Sequence, residues 1–221
     1  MMYTSTRDSS KHVSAARAIA SGLAPDGGLF VPEQIPGVDR VALEQLCGLD
    51  YQGRAVAIME RFLEDFSREE LTRFVSAAYG DNFDDRAIAP VRFLGEDTGV
   101  LELYHGPTCA FKDMALQMLP HLLTASLQKC GEERKVCILV ATSGDTGKAA
   151  LEGFADVDRT KILVFYPRDG VSDVQKLQMT SQRGENVGVC AVAGNFDDAQ
   201  TGVKQIFGNE TLAAALSERG W

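Results

Sequence analysis

Residues 136–154, VCILVATSGDTGKAALEGF, decide how this chain folds. The stretch opens on a continuous apolar run, 136–141, of the kind found in a central parallel strand covered on both faces. TSGDTG at 142–147 breaks the run with a glycine-rich turn. From Thr146 to Phe154 the pattern reads as a helix. Strand, tight turn and helix make half of a β–α–β unit, and the alternation continues outward toward the C-terminus. Residues 161–166 are the next apolar strand and 172–182 a helix. Residues 187–192 are a further strand, 196–207 a further helix, and 212–216 the start of one more. Strands spaced by helices imply an α/β fold with a mostly parallel sheet flanked by helices. Strands 136–141, 161–166 and 187–192 are expected to be neighbours, with the loops that follow them at one end of the sheet.

Working back from the turn, Phe111, Met114, Ala115, Met118, Leu119, Leu122 and Leu123 share one face of a helix over 111–128. Pro120 lies inside it and predicts a kink or two shorter helices. Residues 91–94 and 100–104 are short strand candidates whose glycine-containing connection suits a hairpin. Before them the chain reads as mostly helical. A short helix is expected over 13–20, and Tyr51, Ala55, Ile58, Met59, Phe62, Leu63 and Phe66 recur at helical period. Ser67 with Glu70 three residues on is a capping-box pattern, followed by Leu71, Phe74, Val75, Ala78 and Tyr79 on one face. The expected organisation is a mostly helical region over 1–89 and an α/β domain over 90–221.

Composition narrows the function classes. The formal net charge of −9 disfavours nucleic acid as a partner, because phosphate binding needs concentrated lysine and arginine. Five cysteines, at 47, 109, 130, 137 and 190, form no C-x-x-C pair, and the histidines at 12, 105 and 121 do not stand at metal-ligand spacing from them. No metal is expected. No apolar run has membrane length, and the first ten residues lack the apolar core of a secretory signal. The cytoplasm is the default compartment.

Two segments carry candidate chemistry. GPTCAFKD, 106–113, places Lys112 at a helix start beside Phe111, Met114 and Ala115, apolar neighbours that suit a nucleophilic amine. An ordinary surface lysine beside Asp113 fits the same spacing, and Asp113 reads as a helix N-terminal charge. In the second segment, Gly144 and Gly147 let the backbone approach a ligand, while Thr142, Ser143 and Thr146 add hydroxyls. Asp145 argues against a simple anion cradle there, and a helix cap without ligand remains an alternative. The turn is not a nucleotide phosphate loop, since Ala149 stands where a magnesium-binding hydroxyl belongs. It is not a dinucleotide fingerprint either, for want of G-x-G-x-x-G. His105 stands near the strand end but reads first as structural, while Lys148, Arg168, Lys176 and Arg183 offer charges that could reach a substrate anion and fit solvated helix surface at least as well. Cys109 reads as a small pocket wall, and Asn195, Asp197 and Asp198 as helix caps. An amine and an anion-binding turn on strand ends of one sheet suit an aldehyde cofactor held as a Schiff base.

The sequence resembles the threonine synthases, of the tryptophan-synthase β-like (fold type II) pyridoxal-phosphate enzymes. The likeness is carried by YTSTR at 3–7, GLAPDGGLFVP at 22–32 and GPT at 106–108. It continues through AFKDMALQ at 110–117, ATSGDTGKAA at 141–150, VSDVQKLQM at 171–179 and FDDAQ at 196–200. Asp8 and Pro120 depart from the family pattern without touching the lysine motif. The resemblance implies pyridoxal 5'-phosphate as cofactor, with Lys112 the residue that holds it, Phe111 and Asp113 its motif neighbours, and Asp145 also on the cofactor. Thr142, Ser143, Gly144, Asp145, Thr146 and Gly147 match the loop that lies against the cofactor ring and holds the substrate carboxylate, in place of a phosphate cradle.

The implied reaction converts O-phospho-L-homoserine and water to L-threonine and phosphate. Alternatives on the same fold are a threonine-synthase-like phospho-lyase that only eliminates, and a non-catalytic interaction protein. The family's glycine-rich loop around the cofactor phosphate and its contact to the pyridine nitrogen have no match before Trp221. The expectation is therefore an N-terminal fragment that lacks a C-terminal domain in cis. Such a fragment is expected to be inactive alone and prone to self-association.

Overall fold

The computed structural model describes residues 1–220. The chain opens with β1 (Met2–Ser5), β2 (His12–Ser14), α1 (Ala15–Ser21) and β3 (Phe30–Pro32). Next come α2 (Arg40–Cys47), α3 (Tyr51–Phe62), α4 (Arg68–Ala78), β4 (Val91–Phe93) and β5 (Gly99–Leu101). Then follow α5 (Asp113–Leu116) and α6 (Leu119–Lys129). The rest alternates through β6 (Val136–Ala141), α7 (Asp145–Phe154), β7 (Thr160–Pro167), α8 (Asp173–Thr180), β8 (Val187–Val192), α9 (Phe196–Phe207) and α10 (Glu210–Ser217).

The chain divides into two compact units, one of residues 1–102 with 121–133 and the other of 103–120 with the residues from 134 onward. The boundary thus differs from the expected break at 89/90. The 91–101 hairpin stays with the first unit because Arg92 pairs with Asp85 and Glu102, at 3.3 and 3.5 Å, and Glu102 N–H donates to Pro90 carbonyl. Most of α6 joins that unit too. Its His121 ring stacks on Phe74 and its Lys129 bonds Glu70 at 2.9 Å.

The first unit is not purely helical. β2, β1 and β3 form an antiparallel sheet in that order, pinned where Ser5 Oγ donates to Asp26 at 2.8 Å. Strands of three or four residues carry too little alternation to be read against the helical pattern around them. α4 forms as expected. Ser67 and Glu70 close a capping box at its start, and Leu71, Phe74, Val75 and Ala78 are buried along one face. The predicted break around Pro120 is real. Two helices replace one, and the proline sits in the first turn of α6, where a missing N–H costs nothing.

In the second unit β6, β7 and β8 pair in parallel in the order β6-β7-β8. The neighbours are those expected. The central strand is β7, however, not β6. Ile162 and Val164 on β7 have no exposure, while every residue of β6 is only half-buried. An apolar run reports hydrophobic surroundings without fixing a strand's place in the sheet. α7 packs Ala149, Ala150, Leu151 and Phe154 into this core. α8 and α9 each begin with a capping box, Ser172 with Gln175 and Asn195 with Asp198. No helix among the described residues is long and apolar enough to cross a membrane.

Candidate active site

The lysine loop folds around Asp113. This carboxylate has no exposure and accepts from Thr108 N–H at 2.9 Å, Thr108 hydroxyl at 2.7 Å and Ala110 N–H at 3.4 Å. Gly106 closes on it so tightly that an added Cβ would lie 2.6 Å from Asp113 Cβ. Cys109, exposed rather than lining a pocket, turns the loop through a left-handed φ of 56°. The helix-charge reading of Asp113 therefore understates it, since the side chain organises the segment that precedes Lys112. Lys112 sits at the start of α5, half-buried, with Nζ 4.8 Å from the Phe111 ring centroid. Its ammonium has no carboxylate partner among the described residues.

The 142–147 turn joins the carboxyl end of β6 to α7. Thr142, 2 % exposed, turns its Oγ1 inward to accept from both Gly144 N–H and Gly147 N–H at 2.9 Å. Gly144 has φ 142°, where side chains are strained, and a Cβ on Gly147 would meet Thr142 Cγ2 at 2.4 Å. With Gly144 and Gly147 satisfied, the N–H groups of Ser143, Asp145 and Thr146 have no acceptor among the described residues. They are first-turn donors at the positive end of a ten-residue helix, a local setting for a carboxylate or other small anion.

Asp145 does not stand free beside these donors. Lys148, one turn on, places Nζ 3.4 Å from Asp145 Oδ1, and Gln175 of α8 donates to the same oxygen at 2.8 Å. Lys148, which the sequence leaves between reach to a substrate anion and solvated helix surface, is 7 % exposed. Its i, i+3 spacing from Asp145 was the signal that could have paired them. Gln178 lies on the same side of α8 and reaches Thr108 carbonyl at 3.5 Å, touching the lysine loop. The second unit thus brings the expected residues 111–113 and 142–147 together through one helix. The two glutamines were missed because glutamine three residues apart on a short helix carries no signal of its own.

Two other positions noted in the sequence have partners of their own. Arg168 pairs with the neighbouring Asp169 at 3.4 Å, and the His105 ring lies against Tyr104 at 4.6 Å. A cleft of about 620 Å³ opens at the amino ends of β6, β7 and β8, lined by Lys135, Asp156, Arg159, Thr160, Glu185 and Asn186. It is at the wrong end of the sheet, since ligands of open parallel sheets bind beyond the carboxyl ends of the strands. No cluster of metal-ligating side chains occurs among the described residues.

Residues 2–79 match the family described as "Threonine synthase N terminus". The whole chain is 42% identical to 48% of the threonine synthase of Pseudomonas aeruginosa. It is 38% identical over 95% of its length to 43% of the Saccharomyces cerevisiae threonine synthase. Against human threonine synthase-like 1 the identity is 39%, over 91% of this chain and 28% of the relative. A crystal structure of PLP-bound threonine synthase from Brucella melitensis superposes with TM-score 0.89 at 39% identity, covering 98% of this chain and 46% of that one. The chain spans about half the length of these relatives, or less.

Proposed function

We propose that this chain, which belongs in sequence and fold with the N-terminal part of the threonine synthases, supplies the lysine-bearing part of a pyridoxal-phosphate-dependent carbon–oxygen lyase. The reaction is conversion of O-phospho-L-homoserine and water to L-threonine and phosphate. The observation that carries the reading is Lys112, an amine without an ion-pair partner among the described residues, on a buried-carboxylate loop that α8 ties to an N–H-lined turn.

The residues fit an aldehyde cofactor and an amino-acid substrate. Lys112 offers the amine, Phe111 a flanking ring 4.8 Å away, and Asp145 the acceptor we assign to the cofactor. When bound, the cofactor supplies an electron sink for the carbanion at substrate Cα. The chain's own groups do the rest. The N–H groups of Ser143, Asp145 and Thr146 bind the substrate carboxylate, and Thr142 holds Gly144 and Gly147 so that this set is preorganised before ligand arrives. Lys112 moves protons at Cα and Cβ. The Cα proton is returned, the proton taken from Cβ is balanced by one gained at Cγ as phosphate leaves, and water gives its hydroxyl to Cβ and its remaining proton to the phosphate. We place the partners of the cofactor's phosphate and pyridine nitrogen outside these residues, in keeping with coverage of about half of the relatives. The cytoplasm suits five thiols that are all unpaired.

A second reading on the same residues is elimination without addition of water; the chain is as similar to human threonine synthase-like 1, at 39%, as to the yeast threonine synthase, at 38%. Feeding phosphohomoserine to the complete protein separates the two, because threonine as the main product supports the first reading and 2-oxobutyrate the second. In either case Lys112→Ala should lower turnover by about 10²–10⁴-fold or more and abolish the borohydride-reducible cofactor adduct. An adduct surviving in that variant overturns the assignment of Lys112.

A further inference from the structure

We propose that Gln175 is a positioning residue for the 142–147 turn, and that α8, through Gln175 and Gln178, braces this turn and the lysine loop in a single arrangement. The Gln175 amide is oriented from both sides. Its Oε1 accepts from Ser172 Oγ at 3.2 Å and Ser172 N–H at 3.4 Å, and its Nε2 donates to Asp145 Oδ1 at 2.8 Å. The same amide lies directly over Gly144, where a Cβ would come within 2.4 Å of Gln175 Cδ. Lys148 Nζ approaches the same Asp145 oxygen at 3.4 Å, so both donors converge on Oδ1, and Oδ2 has no partner among the described residues. Asp145 is thereby held with one oxygen engaged and the other available.

One turn along α8, Gln178 Nε2 meets Thr108 carbonyl at 3.5 Å, and Thr108 is the residue whose N–H and hydroxyl both rest on Asp113, next to Lys112. A run of polar contacts therefore leads from Asp145 through α8 to the lysine loop.

Glutamine is required at 175 for a reason that capping alone does not supply. Either glutamate or glutamine completes a capping box with Ser172. Only the amide can also donate to Asp145, whereas a carboxylate there would face another carboxylate. Gln175→Glu consequently separates helix capping from positioning. In the 221-residue chain at neutral pH, this variant should retain protection of the α8 amides. It should also accelerate hydrogen exchange at Gly144 and Gly147 by about tenfold, the loss of one modest hydrogen bond. Adding Asp145→Asn to Gln175→Glu reverses donor and acceptor and should return both glycines to within about threefold of the parent.

Unchanged glycine exchange in the single variant, failure of the paired substitution to restore it, or loss of α8 itself would each overturn the proposal. A kinetic arm rests on the function proposed above. In the complete protein Gln175→Glu should raise KM for phosphohomoserine more than it lowers kcat. If the parent makes no threonine, that reading fails while the exchange experiment still decides this one.

Discussion

Asp113 concentrates the residue-scale argument. A buried carboxylate is tolerated only when its oxygens are satisfied, and here three donors from Thr108 and Ala110 do so. Asp113→Leu should strand those donors and destabilise the second unit by about 1–3 kcal/mol or more, read as a lower urea midpoint. Asp113→Asn should cost less. The Thr108 hydroxyl can reverse and accept from the new amide, leaving one oxygen for the two backbone N–H groups. Equal loss in both variants would show that the negative charge, not the hydrogen bonding, holds the loop. The motif itself was legible, since AFKD and SGDTG stand out by spacing and resemblance. The inward turn of Asp113 and the burial of Lys148 were not. Whether a charged side chain near a helix start faces water depends on what folds over it: Asp113 takes donors from up to five residues back, and Lys148 pairs with Asp145, which α8 also reaches through Gln175.

At the scale of elements, α6 shows how a helix legible by period acquires a position that period does not contain. It docks on α4 through His121 stacked on Phe74 and through Lys129, which bonds Glu70 and lies 5.1 Å from the Phe66 ring centroid. Burial holds the His121 imidazole below its usual range. As pH falls through about 6.5, the ordinary histidine value, the unfolded chain takes up this proton before the folded one does. Stability from this site is therefore full above that value, declines as pH falls toward the depressed folded value, and is constant below it. Glu70 acts on the same acid edge, at lower pH. Held down by Ser67 N–H and Lys129, it stabilises the fold above the carboxylate range and loses that only in acid. His121→Phe should keep the stacking on Phe74 and flatten the loss of thermal stability between pH 7.5 and 5.5. An unchanged slope would assign the loss to other groups. The parallel strands and capped helices of the second unit were readable because pattern and caps agree there. β1, β2 and β3 were not, because their pairing is set by long-range register such as Tyr3 with both Val13 and Pro32.

For the whole molecule, the open matter is which anion the 142–147 turn serves. Its three N–H groups without an acceptor among the described residues are chemically indifferent between a carboxylate and a phosphate. Asp145 beside them disfavours a dianionic phosphate more than a singly charged carboxylate, although Lys148 and Gln175 on Oδ1 moderate that repulsion. We therefore expect the 221-residue chain to bind pyridoxal phosphate weakly, since nothing assigned within it holds the phosphate. Borohydride reduction followed by peptide mapping should find the adduct at Lys112 when cofactor is in large excess, and not at Lys148, whose amine is buried and engaged with Asp145. Exposed Phe111, Val174 and Leu177, at 55 %, 67 % and 65 %, favour concentration-dependent self-association of this chain, which sedimentation during the same titration would register. Tight, stoichiometric uptake would reverse the assignment of the turn. The phosphate would then have its partners among these residues, and the N–H groups of Ser143, Asp145 and Thr146 are the set prepared for it. Comparing pyridoxal with pyridoxal phosphate decides between the two, because a turn that serves only the substrate carboxylate leaves their affinities alike.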